Sequence, residues 1–365
     1  MSEFLENAKD AVQRRYRHRF RNVNLNKVKK EIASFPEGQQ MLDFIEQQGT
    51  KITPTYDLPD GAFGFISVRA PEGYDGPPLP MKEMETEIFV NISKGPEFWA
   101  DAIYHEAQHL SQYAYAGLAQ SPTICPMEDH LWLNRVKEAD AQATSVEMKL
   151  KKSLASGDMQ GFETGEIFAK QIEPYDAILH AFYESYQQDP ENLNNGVAKR
   201  LAFDAWFSEE TYDNCGYDLE CLETGISQWA QEVGRRQRHG VNMPVGPIPV
   251  EDVLKCGNTA FDGTKSEVNY LDLPGFPDIG SQEYRGHFSD ATQKKLNNHR
   301  SEYDGLVQNM IAGQTSSYAQ RDRARSVFYD APKSESSEPA QTPATAQKPA
   351  QLRPNALRGG VRTKF

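Results

Sequence analysis

The residues best suited to chemistry lie in one short run, Tyr104-His105-Glu106-Ala107-Gln108-His109, an H-E-x-x-H pattern. In a helix, four residues advance by about 400°, so His105 and His109 project from nearly one face, one turn apart. That spacing lets two imidazoles share one tetrahedral metal ion at about 2.0–2.1 Å. Glu106 lies about 100° round from His105, placed to reach a water at the metal without ligating the metal itself. The chain holds eight histidines in 365 residues, and random order would produce the pattern in roughly one such chain in a hundred. Two histidines turned into a core without a metal would be costly polar groups in need of partners. The pattern therefore reads first as a metal site.

Such a site needs a rigid frame, and the flanking sequence supplies one. A strand is expected at Glu87–Ser93 (EIFVNIS), directly before a helix from Glu97 to about Ala119 that is apolar around the motif through Phe98, Trp99, Ile103 and Leu110. Two further strands are expected at Lys51–Tyr56 and Ala62–Arg69, rich in β-branched and aromatic residues, and a short helix around Met41–Ile45. Helical patterns then occupy Glu128–Leu154, Pro174–Gln187, Val197–Ser208, Leu222–Arg236 and Ser289–Met310. Residues 241–285 are rich in Gly, Pro, Asn and Asp and read as a long wrapping loop. Trp206, in Ala202-Phe-Asp-Ala-Trp-Phe207, is expected to anchor the core. The Glu87–Ser93 strand is expected to pair with an extended substrate, as sheet edges do.

A strand followed by an HExxH helix and a downstream helical region resembles the zincin metallopeptidases. The metzincin branch would need Gly at 112 and His at 115, where this chain has Gln112 and Tyr115. The gluzincin branch takes its third metal ligand from a glutamate on a later helix. That resemblance selects Glu138, in Arg135-Val-Lys-Glu-Ala-Asp-Ala-Gln-Ala143, with Glu128, Asp129, His130 and Glu147 as rivals. Small neighbours, Ala139, Ala141, Ala143, Thr144 and Ser145, would let this helix approach the HExxH helix closely, and Asp140 would orient an imidazole. The E-x-x-A-D spacing frequent in gluzincins would put the ligand at Val136, whereas here Glu138 directly precedes Ala139-Asp140. The ordered set HEAQH, KEADAQA and Arg200-Leu-Ala-Phe-Asp-Ala-Trp-Phe207 followed by Tyr212 is similar to an uncharacterised bacterial metallopeptidase family over about residues 35–235.

The resemblance implies an α+β fold of the zincin kind: a small antiparallel or mixed sheet with the active-site helix in an upper part, above a mainly helical lower part. It implies zinc held by His105, His109 and Glu138, and a peptide or protein substrate hydrolysed by a metal-activated water with Glu106 as general base. Candidates for the donor to the developing oxyanion are His180, Tyr183, Tyr175, Tyr212 and Tyr217, with His180 read mainly as a structural histidine. The alternative is a catalytically inactive zincin-like binding module, or a secreted bacterial effector acting through protein interaction.

Charge divides the chain into parts. Residues 1–30 carry nine Lys and Arg against three acids, a net of +6, on a basic amphipathic helical segment. Residues 331–365 carry six against two, a net of +4, on a tail whose Pro, Ala, Ser, Gln and Thr content predicts disorder. With a total of -13, the remaining body carries -23. Such a body excludes nucleic acid as its partner, and the basic termini are the expected contacts for anionic partners. The expected divisions are a metallopeptidase domain over 31–240 (31–120 sheet and HExxH helix, 121–240 helical part with the third ligand), a loop-rich then helical extension over 241–330, and the tail.

No apolar run is long enough to span a membrane, and no apolar core of a secretory signal is present near the N-terminus. The four cysteines, Cys125, Cys215, Cys221 and Cys256, form no C-x-x-C pair. Cys215 and Cys221 read as plain buried thiols. Together these features predict a cytoplasmic protein, with export without a Sec signal as the other reading.

Overall fold

A computed structural model describes residues 25–329 apart from 57, 59–61, 75, 78, 119–122, 165–174, 208–225, 287 and 289. The expected N-terminal amphipathic helix around Phe4–Val12, the tail from Ala331, Cys215, Cys221, Tyr212 and Tyr217 lie outside the described residues.

Helices α1 (Leu25–Ile32) and α2 (Pro36–Gln47) lead into strand β1 (Lys51–Thr55). Strands β2 (Gly64–Arg69) and β3 (Glu85–Asn91) complete a three-stranded sheet of order β1-β3-β2. β1 runs parallel to β3 with Ile52 opposite Ile88, and β2 runs antiparallel to it with Ile66 opposite Ile88. Period-two alternation sets the faces. Gly64, Ile66 and Val68 of β2 and Thr86, Ile88 and Val90 of β3 turn inward, while Phe65 and Phe89 stack on the outer face at 5.8 Å. Pro54 cannot donate to a ladder on both sides, which suits β1 to an edge.

This order corrects one expectation. The Glu87–Ser93 run forms β3, and β3 is the central strand, paired on both sides, so it has no edge to offer a substrate. Alternation identifies a strand but carries no information on its place in the sheet.

Helix α3 (Trp99–Ala114) carries the HExxH motif and is entered through a 3-10 turn at Pro96–Phe98. Fourteen of its sixteen residues are buried, so its polar side chains must find partners inside the protein. Helix α4 (Met127–Ser156) lies beside it and ends at Gly157, whose φ of 71° closes the helix with a left-handed residue. Ala139, Ala141 and Ala143 are fully buried, and this lack of bulk brings the helices together: the Ser145 hydroxyl donates to the Asp101 carbonyl of α3 at 3.3 Å.

Helices α5 (Tyr175–Gln188), α6 (Val197–Trp206), α7 (Ile226–Arg238) and α8 (Asp290–Tyr329) follow. The fold is thus helix-rich with a small mixed sheet, an α+β protein.

Two buried clusters result. One joins α1, α2, the inner sheet face and α3 through Ile32, Phe44, Ile66, Ile88 and Ile103. The other joins α4 to α8 and the 241–285 segment through Trp132, Phe182, Phe203, Trp229 and Leu271. Trp206 is buried in it, in line with its expected anchoring role. The segment from 241 to 285 is not featureless, since it contains short helical turns at Val250–Leu254, Lys255–Asn258, Tyr270–Asp272 and Gln282–Arg285. No helix among the described residues is long and apolar enough to cross a membrane.

Candidate metal centre

Where the two clusters meet, α3 and α4 bring His105, His109 and Glu138 together, all buried. His105 Nε2 and His109 Nε2 lie 3.0 Å apart. Glu138 Oε2 is 3.2 Å from His105 Nε2, and Glu138 Oε1 is 3.2 Å from His109 Nε2. Ligand atoms around a tetrahedral ion with bonds of 2.0–2.1 Å stand about 3.3 Å apart, so the three side chains already have nearly that spacing.

The far nitrogens decide what the near ones can be. His105 Nδ1 faces Gln142 Oε1 at 3.2 Å, and His109 Nδ1 faces Gln112 Oε1 at 2.9 Å. An amide oxygen only accepts, so each Nδ1 carries the hydrogen. The orientation of Gln112 is fixed independently, because its Nε2 donates to the Lys137 carbonyl at 2.8 Å and to Asp140 Oδ2 at 2.7 Å. In the neutral rings both Nε2 atoms are therefore acceptors, and they converge on each other and on a carboxylate. Glu138 Oε1 receives no hydrogen bond. Buried acceptors crowded in this way suit a cation among them.

The electrostatics agree. Burial pushes the pKa of His105 down to about 4, which keeps it neutral. Burial acts on His109 in the same direction, but the negative charge of Glu138 outweighs it and raises that imidazole above its ordinary value. Burial alone would raise Glu138, yet the two imidazoles hold its carboxyl well below the usual carboxylate range. With both imidazoles neutral and Glu138 ionised, the trio carries one negative charge, which suits a cation. The residues fit a metal ion, and no other such cluster occurs among the described residues.

Glu106 is fully buried on the same helix. Strand β2 crosses above it at Gly64, where an added Cβ would stand 2.9 Å from Glu106 Oε1 and 3.0 Å from its Cγ. A side chain at 64 would displace the carboxylate. The glycine leaves its position open.

Of the other candidate ligands, none joins the trio. Glu128 pairs with Arg300, and Asp129 pairs with Arg285 at 2.8 Å and accepts from the Ile248 amide at 2.6 Å. His130 packs against Trp229, and Glu147 bridges Lys151 and Lys199. Asp140 does not touch an imidazole. It reaches His109 through Gln112.

Of the expected oxyanion donors, Tyr212 and Tyr217 lie outside the described residues. His180 is exposed, and Tyr183 is buried against Phe162. Only the backbone of Tyr175 is described, as the first residue of α5.

Sequence reasoning missed two residues on the HExxH helix. Gln112 served only to exclude a metzincin, and Tyr113 was not considered. The Tyr113 ring stacks on His109 at 6.2 Å, its hydroxyl is buried with no hydrogen-bond partner, and burial together with Glu106 and Glu138 raises its pKa well above the ordinary value. Their place one turn after each polar motif residue, at i+4 from Gln108 and His109, was the available signal.

With this geometry in place, the comparison with known families becomes specific. Residues 81–228 match the putative metallopeptidase family DUF6782, a family of unknown function. The matched stretch contains β3, α3 and α4, and hence all three clustered residues and Glu106. It supports the resemblance read from the motifs, over a shorter stretch than 35–235. The match suggests a peptidase, with a peptide or protein as substrate. Neither curated proteins nor solved structures give a match to the chain.

Proposed function

We propose that this chain is a zinc-dependent peptidase in which His105, His109 and Glu138 hold the metal and Glu106 is the general base. The observation that carries this reading is the convergence of two Nε2 acceptors and a carboxylate at 3.0–3.2 Å, with both Nδ1 hydrogens committed elsewhere. Bound there, zinc supplies Lewis acidity, which polarises a carbonyl and makes water more acidic. Glu106 takes a proton from the attacking water at its carboxylate and returns it to the leaving amine. Tyr113, whose ring stacks on His109 and whose hydroxyl has no hydrogen-bond partner, is the candidate donor to the developing oxyanion.

The same residues favour an enzyme over a binding module. Structural zinc sites are usually closed by four protein ligands, whereas catalytic sites keep three and leave a position for the reactants. Three such groups cluster here among the described residues. The -23 body would favour basic substrates by raising their encounter rate.

Two measurements on the purified full chain test the proposal. Elemental analysis is expected to give about one zinc per chain. Digestion of an unfolded protein such as casein is expected to fall about 10³-fold in Glu106→Gln, with the zinc retained. A wild-type chain that folds fully but binds no zinc would sink the reading.

A further inference from the structure

The hydrogen bonds behind His109 continue beyond the two helices that carry the site. Gln112 links His109 Nδ1 to Asp140 Oδ2, and Gln108 Nε2 donates to the same oxygen at 2.7 Å. The other carboxylate oxygen, Asp140 Oδ1, accepts from the Tyr270 hydroxyl at 2.6 Å. Gln112, Asp140 and Tyr270 are all buried, so no water competes for these bonds. Tyr270 opens the 3-10 turn Tyr270–Asp272 and lies outside the stretch that matches the metallopeptidase family.

That turn is anchored without the tyrosine hydroxyl. Asn269 Nδ2 donates to the Leu254 carbonyl at 3.0 Å, and Asn269 Oδ1 accepts from the Leu271 amide at 3.1 Å. Arg200 donates to the carbonyls of Leu271 and Pro277 at 2.7 and 2.6 Å. The hydroxyl is therefore not needed to dock the segment: Lys199 Nζ lies over the ring at 4.9 Å, and the hydroxyl donates to the carboxylate behind the metal site.

We propose that Tyr270 is a positioning residue for the metal site, acting through Asp140 and Gln112 on His109. Its hydroxyl holds Asp140, Asp140 holds the Gln112 amide with its oxygen toward His109, and that oxygen keeps the hydrogen on Nδ1 and the Nε2 lone pair on the metal. This role rests on the metal-site reading above. Partners of this kind change metal affinity by about 10–100-fold when removed.

Zinc affinity of the full chain, measured by competition with a chromogenic chelator, tests the relay. Tyr270→Phe is expected to weaken zinc binding about tenfold and to shift the visible bands of the cobalt-substituted protein. Tyr284→Phe is the control. It removes a hydroxyl from the same segment that donates to Asp204 Oδ1 at 2.7 Å and accepts from Arg200 Nη2 at 2.7 Å but bonds neither Asp140 nor Gln112, and it is expected to leave both readouts unchanged. In a Gln112→Ala background, Tyr270→Phe is expected to have no further effect. Wild-type affinity in Tyr270→Phe, or equal weakening in the two tyrosine variants, would overturn the relay while leaving the metal reading intact. Absence of zinc binding by the wild type would overturn both.

Discussion

Two of the buried polar clusters among the described residues, one around Arg200 and one around His105, His109 and Glu138, differ in completeness. Around Arg200 every donor nitrogen has an acceptor: Nε reaches Asp204 Oδ1 at 2.9 Å, Nη1 the Leu271 carbonyl, and Nη2 the Pro277 carbonyl and the Tyr284 hydroxyl. The cation is part of the chain. Around His105, His109 and Glu138 the acceptors are equally well placed, but Glu138 Oε1 has no donor and the two Nε2 atoms face each other. Both clusters cost desolvation energy. The first recovers it from its own hydrogen bonds, and the second, on the metal-site reading proposed above, would recover it from a bound cation. A buried cluster that lacks one charge marks function more reliably than burial or polarity alone.

The contrast can be broken at either end. Arg200→Ala strands Asp204 and two carbonyls, and urea unfolding is expected to show a loss of about 3–5 kcal/mol with or without zinc. Chelating the metal is expected to leave the Arg200 cluster untouched yet lower stability by about 3–4 kcal/mol relative to zinc at 100–1,000 times its dissociation constant, as read by thermal unfolding across a zinc titration. If both perturbations responded to zinc equally, the two clusters would not differ in kind.

Gly64→Ala sharpens the picture at the catalytic side. The new Cβ would push on the Glu106 carboxylate, so hydrolysis is expected to fall about tenfold, one pKa-scale step of 1.4 kcal/mol in the barrier, while zinc affinity stays unchanged. Full activity in this variant would place Glu106 away from the reaction. The smallest effect concerns pH. His109 has a raised pKa, so the proton competes with zinc below that value and not above it. Zinc affinity is expected to fall about tenfold per unit as pH drops through that range, whereas a flat profile would show that the imidazole is not a ligand.

The motif was legible because helical period and side-chain chemistry are both local. His105 and His109 share a face for the same reason in any helix, whereas Glu138 was reached through the gluzincin resemblance, with its small neighbours in support. Strand positions at 51–55, 64–69 and 85–91 were legible from alternation. The sheet order was not, since β1 pairs with β3 across an intervening strand, and pairing depends on the whole chain. Tyr270 was equally hidden, because its partner Asp140 stands 130 positions away and nothing local distinguishes it from other buried tyrosines. His180 misled in the opposite sense: flanking alanines suggested an inward face, but the α5 surface at that position turns to solvent.

The burial of α3 has a kinetic consequence. Backbone amides exchange their hydrogens with water only when a segment opens, and a helix enclosed on nearly all sides opens only with the body around it. His105 and His109 sit mid-helix, away from ends that fray. The metal they would hold cannot escape through local unwinding of its own support, so its departure is left to side-chain rotation or to global unfolding. The lifetime of the site and the lifetime of the fold are joined in one helix.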